Sequence, residues 1–155
     1  MAVWLDDDLM GCPMCIRDGL ALLTHPQSIT QYLRQRKNDV TVECFRVLVD
    51  AEGTRYRDIQ ICANGRIQWC ARTLIPSNTY AHLKKYFDWN GDRPLGDFIF
   101  TSTNVYRSTI HLTFMNKFPD WVRERIPQQQ GGFVRHSTWI LDKDFPLTIS
   151  EYFAL

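Results

Sequence analysis

Apolar and polar positions alternate along most of the chain beyond residue 39, and the alternation predicts strands. "VTVECFRVLV" (40–49) alternates and is rich in β-branched side chains, which suit a pleated surface. Asp50 to Gly53 make a turn. "TRYRDIQICANGRIQWCARTLIP" (54–76) holds two more strands around Asn64-Gly65, the strongest short hairpin signal. "NVYRSTIHLTF" (104–114) reads as a strand. "FVRHSTWIL" (133–141) and "FPLTISEYF" (145–153) form a closing hairpin around "DKD". Helical spacing falls before and between these runs. Residues 12–23 lead into Ile29, Tyr32, Leu33 and Arg36, which recur at helical intervals behind Pro26. "SNTYAHLKKYFDW" (77–89) predicts a capped helix. "GDRPLGDFIF" (91–100) is a turn running into an apolar segment. "PDWVRERIPQQQGG" (119–132) is an excursion, a short helix and then a flexible polar loop. The sum is an α+β fold: a single domain over residues 1–155, with about six mostly antiparallel strands and helices on one side.

Composition agrees with a packed domain. Hydrophobic residues are 45% of the 155, aromatic residues 13%, enough for a core. Charged residues at 23% and a net charge of +1 exclude a disordered chain and give no basic excess for general nucleic-acid binding. The start, "MAVWLDDDLM", is acidic where a secretory signal is basic, and no apolar run is long enough to span a membrane. Five cysteines, an odd number in a chain too long to need staples, point to reduced thiols. A soluble cytoplasmic protein is expected, a monomer with no membrane or nucleic-acid partner.

The candidate chemistry begins in the hairpin. With Asn64 and Gly65 as the loop, counting back along both strands sets Arg57 opposite Arg72, and Ile59 opposite Cys70. Arg57 then shares its face with Ile59 and Ile61, a core-facing set. Two half-buried arginines facing each other repel unless an anion neutralises them. A small carboxylate would do so in a bidentate way. The plainer alternative is that each arginine pairs with an acid elsewhere or snorkels to solvent. The last strand repeats the pattern: Leu147, Ile149, Glu151 and Phe153 share one face, and Glu151 is a carboxylate in an apolar row. Desolvation would favour its neutral form, which can donate a hydrogen bond or a proton. The alternative is an edge-strand glutamate paired with a nearby arginine. One acid and two arginines suggest a pocket for an anionic, oxygen-rich small molecule.

"RDIQICANG…WCARTLIP", "DRPLGDFIF" and "LTISEYF", preceded by "PQSITQYLRQ" and "VTVECFR", resemble in order the chorismate lyase (chorismate–pyruvate lyase) family. The resemblance runs from about Thr24 to Phe153. It implies an antiparallel sheet with helices on one side and flaps over a buried ligand. It also implies cofactor-independent conversion of chorismate to 4-hydroxybenzoate and pyruvate, feeding a product such as the ubiquinone ring precursor. The family's carboxylate-binding arginine falls on Arg57, and the arginine of its "GRT" segment on Arg72. The glutamate at the ligand's other end falls on Glu151, a leucine whose backbone lines the pocket on Leu95, and the flap methionine on Ile29. Arg107 and Arg135 match arginines of the pattern to which no role is assigned. On this reading Arg57 anchors a carboxylate, Arg72 approaches the enolpyruvyl side, and Glu151 acts as general acid; Arg57 and Glu151 are the expected catalytic residues. Buried opposite charges would also slow product release.

Three departures bear on the substrate: a short extension before the first helix, the inserted "MNKFPDWVRERIPQQQGG", and an end at "EYFAL". Two rival readings stand beside the lyase. Effector domains of some transcription regulators share the fold and bind small ligands without turnover. They normally follow a winged-helix domain, for which there is no room before Cys12; that absence, with Glu151 retained, favours an enzyme. A lyase-like enzyme acting on a chorismate relative is the other. "CPMC" (Cys12, Cys15) has the spacing of half a zinc site or a redox pair, but no second such pair exists, and Cys62 alternates away from Cys70. No metal is expected. His25, His82, His111 and His136 are scattered and form no triad. "RQRK" (34–37) reads as the solvated end of a helix. Trp69, Trp121 and Trp139 read as core.

Overall fold

The computed structural model describes Ala2–Leu5 and residues 39–89, 91–93, 95, 98, 99 and 104–154. Its strands are β1 (Ala2–Leu5), β2 (Val40–Val49), β3 (Arg55–Ala63), β4 (Arg66–Ile75), β5 (Val105–Met115), β6 (Gly132–Leu141) and β7 (Phe145–Phe153). Among the described residues, short helices run over α1 (Ser77–Leu83) and α2 (Asp120–Arg123). The strands form one sheet in the order β1-β5-β6-β7-β4-β3-β2. Every neighbouring pair is antiparallel except β1 with β5, which is parallel. The α+β class and the antiparallel sheet stand. The added strand, β1, is four residues long, too short for periodicity to reveal. Among the described residues no helix is long and apolar enough to cross a membrane. Ile29, Cys12, Cys15, His25 and the segment 34–37 lie outside the described residues.

The Asn64-Gly65 loop forms as its chemistry dictates, with φ of 53° and 75°. Below it, Ala63 pairs with Arg66 and Cys62 with Ile67, as counted from the turn. The register then shifts between Ile61 and Cys62, because β4 carries one extra residue, Gln68. Beyond the bulge Arg57 faces Thr73, and Arg72 faces Asp58. The expected Arg57–Arg72 pair is therefore not formed. One inserted residue moves every later side chain of β4 to the other face. The same shift puts Cys62 and Cys70 on one face.

The two faces bury different clusters. The first holds Ile59, Ile61, Trp69, Ala71, Ile110, Leu112, Phe133 and Phe153, and, at its other end, Ile75, Trp139, Leu141 and Leu147 beneath Leu83, Phe87, Trp89, Leu95 and Ile99. The predicted helix over 77–89 is shorter than its apolar spacing suggests. Leu83 and Phe87 lie one helical turn apart, but Trp89 is off that stripe, so the chain leaves the helix after Leu83 to bury all three. Pro76 stands at the helix start, and no side chain caps it. The second face is covered by the excursion: Phe118, Val122 and Ile126 pack on Cys70, Val134 and Tyr152.

Candidate functional site

Arg57 is the largest fully buried side chain, 0% exposed on the first face. Its Nε donates to the carbonyl of Trp89 at 3.0 Å, and its Nη2 to those of Gly91 and Arg93, each at 2.8 Å. Cys44 bears on the same guanidinium from β2, and the backbone N–H of Cys44 donates to Asp92 Oδ1 at 2.8 Å. The turn over 89–93 is thus wrapped on the arginine. Nη1 is buried and has no hydrogen-bond partner. Burial lowers the pKa of this guanidinium, and Cys44, then Asp92 and Asp88, offset that only in part. Among the described residues its direct partners are neutral groups and no carboxylate. A buried cation so held is still short of one acceptor.

Glu151 sits on β7, a central strand between β6 and β4, and is 7% exposed. It is not the lone carboxylate expected from its apolar row. Arg135, 5% exposed, lies directly opposite on β6, and its Nε and Nη2 donate to Glu151 Oε1 at 2.8 and 2.5 Å. The expected general acid is therefore an ion-paired carboxylate. Arg57 and this pair occupy adjacent rows of one face. The first row runs Arg57, Thr73, Ile149, Ser137; the next runs Ile59, Ala71, Glu151, Arg135. Thr73 and Ser137 are 2% exposed, so the rows form a buried polar band through an apolar sheet. Arg57 and Glu151 are separated by two strands and two residues, about 10 Å across and about 7 Å along the sheet. Long side chains can reach both ends of one small aromatic acid over that span.

Arg72 does not join this band. It lies on the second face, where its Nε donates to Asp58 Oδ1 at 2.7 Å and its Nη2 to Oδ2 at 2.9 Å. Arg46 donates to the same carboxylate at 2.8 Å. Asp58 is 0% exposed, and Trp121 of the excursion packs 4.5 Å from the Arg72 guanidinium. The plainer expectation, an arginine paired with an acid elsewhere, holds for Arg72. Leu95 is buried with Ile99, Phe87 and Trp89 at the end of the wrapped turn. Cys44, Cys62 and Cys70 are free thiols, and burial pushes the Cys70 thiol up to about 12.

Sequence reasoning missed Asp58 and the role of Arg135. Asp58 hides behind the bulge. Arg135 was within reach: with "DKD" as the loop, counting back from Leu141 and Phe145 sets Arg135 against Glu151, and no bulge interrupts that ladder.

No protein-family model matches the chain, and no curated protein does. Solved structures do match. The effector domain of PhnF from Mycobacterium smegmatis is 13% identical, with a TM-score of 0.55 over 82% of this chain and 88% of that one. The C-terminal domain of the histidine utilization repressor from Pseudomonas syringae pv. tomato is 9% identical, with a TM-score of 0.55 over 74% and 91%. The possible transcriptional regulator YydK from Bacillus subtilis is 10% identical, with a TM-score of 0.52 over 74% of this chain. This chain spans 58% of YydK's length. At these identities the likeness is one of fold. It corrects the expectation of a lyase: the solved chains named here are regulators and their effector domains, and Glu151 is paired with Arg135 instead of standing alone in its row.

Proposed function

We propose that this chain is a non-catalytic, effector-sensing module that holds a small carboxylate on the first face of the sheet. Arg57 anchors the carboxylate through Nη1. Thr73 and Ser137 line the floor, and the Arg135–Glu151 pair meets the polar group at the ligand's far end. Leu95 closes the Arg57 end through the segment that follows the wrapped turn. The observation that carries this reading is Arg57: a fully buried guanidinium, held by carbonyl dipoles, with one donor lacking an acceptor. An anion there supplies both the acceptor and the missing charge, and in a dry site that interaction is strong. The use of this fold as an effector domain in PhnF supports sensing over turnover.

The test uses 4-hydroxybenzoate as probe, by calorimetry, beside a pyruvate assay with chorismate. Saturable binding without pyruvate release is expected. Arg57→Met should weaken binding tenfold or more, while Arg72→Met, on the opposite face, should leave it unchanged. Absence of saturable binding, or affinity indifferent to Arg57→Met in a folded variant, overturns the reading.

A further inference from the structure

We propose a second anion site beside the first, built on Tyr80, Trp89 and Arg55 where the chain leaves α1. A cavity of about 370 Å3 opens there, with Tyr80, Lys84, Lys85, Asp88 and Trp89 in its lining. Two N–H donors in this stack lack acceptors. Trp89 is 3% exposed, and its Nε1 is buried without a hydrogen-bond partner. The Nε of Arg55 is in the same condition. Both groups flank one ring: the Arg55 guanidinium lies 3.8 Å from the centroid of Tyr80, and the ring of Trp89 6.4 Å from it. Phe87 packs edge-on against Trp89 at 4.7 Å and holds the indole in place.

The lining sets the class of ligand. Two buried N–H donors each call for an acceptor oxygen. Lys84 and Lys85 in the lining, with the Arg55 guanidinium on the ring of Tyr80, bring three positive charges near the one carboxylate of Asp88. A compact oxyanion with at least two acceptor oxygens fits, whether a carboxylate or a phosphate. Lys84, Lys85 and Tyr86 are exposed, lie beyond the end of α1 and form the outer wall of the cavity. Trp89 belongs to both sites. Its carbonyl accepts from Arg57 Nε, and the residue also lines the second cavity. The second site requires nothing of the effector-sensing reading.

The full chain, labelled with 15N at its tryptophan indoles, is titrated with inorganic phosphate and separately with acetate. The indole N–H resonance of Trp89, identified by its loss in Trp89→Phe, should move saturably with at least one ion. The tighter of the two identifies the source of the oxyanion. The double variant Lys84→Ala/Lys85→Ala, in an exposed turn, should raise the apparent Kd at least fivefold. A resonance that does not move with either ion, or one that moves equally in the lysine variant, overturns the proposal. Loss of 4-hydroxybenzoate binding with an intact phosphate response would sink the effector reading alone.

Discussion

The buried acids of this sheet are matched by an arginine directly across the strand, Arg72 for Asp58 and Arg135 for Glu151. Arg135 and Glu151 neutralise one another in a nearly dry row. Removing either leaves an uncompensated buried charge, which typically costs about 3–5 kcal/mol. Replacing both with apolar residues of similar volume leaves no charge to strand. The double variant Arg135→Met/Glu151→Leu is therefore expected to be more stable than Glu151→Leu alone, by about 2 kcal/mol or more, in urea unfolding. A double variant as unstable as the sum of its singles would show that the pair is not coupled. Arg57 differs in kind, because its compensation comes from backbone carbonyls and stays incomplete. On the proposed reading, that difference gives the ligand's charge to Arg57 rather than to Arg135.

The excursion between β5 and β6 belongs to the fold more than to a flap. Phe118, Val122 and Ile126 are 1%, 0% and 0% exposed, and the Phe118 ring meets Tyr152 edge-on at 5.7 Å. The Phe118 N–H donates to Gln130 at 2.6 Å, and Gln129 Nε2 donates to the Phe153 carbonyl at 3.0 Å, so the loop closes on itself and on β7. Its "QQQGG" end passes close to β5: a Cβ on Gly131 would lie 2.1 Å from the Met115 carbonyl oxygen. Phe118→Ala should cost about 3–5 kcal/mol, the usual range for emptying a buried phenylalanine site. Affinity for 4-hydroxybenzoate should be unchanged in the fraction that folds, because this cluster lies on the far face from Arg57. A clear loss of affinity at matched folded concentration would place the excursion in the site after all.

At the scale of the whole molecule, the second face predicts a pH-dependent stability. His111 and His136 are cross-strand partners with ring centroids 6.3 Å apart, and His136 Nδ1 shares a hydrogen bond with Ser150 Oγ at 2.8 Å. Burial, and then the neighbouring His111, lower the His136 pKa below its ordinary 6.5. The folded state then binds fewer protons than the unfolded chain once the pH drops to that ordinary value. Stability is unaffected above it and falls as the pH drops through it toward the folded pKa. Tm should hold steady above about pH 7 and decline below it, and His136→Gln should flatten the decline. An equal decline in the variant would assign the effect to other groups.

Much of the architecture was legible because local signals agree with the global sheet. Alternation located β2 to β7, Asn64-Gly65 specified its own turn, and the unbroken β6–β7 ladder could be counted from "DKD". Arg57 was found on the correct face because β3 itself has no bulge between Arg57 and Ile61, and alternation therefore holds. The fate of Arg72 was not legible. The bulge at Gln68 adds one residue without any glycine or proline to mark it, and side-chain period two turns that single residue into a change of face. The sequence by itself thus determined the strands, the tight turns and the face on which Arg57 lies. Only the tertiary structure decided what neutralises each charge: Asp58 for Arg72, Arg135 for Glu151, and three carbonyls of a distant turn for Arg57. The physical reason is that ion pairing and desolvation depend on which face and which row a side chain reaches, and register sets both.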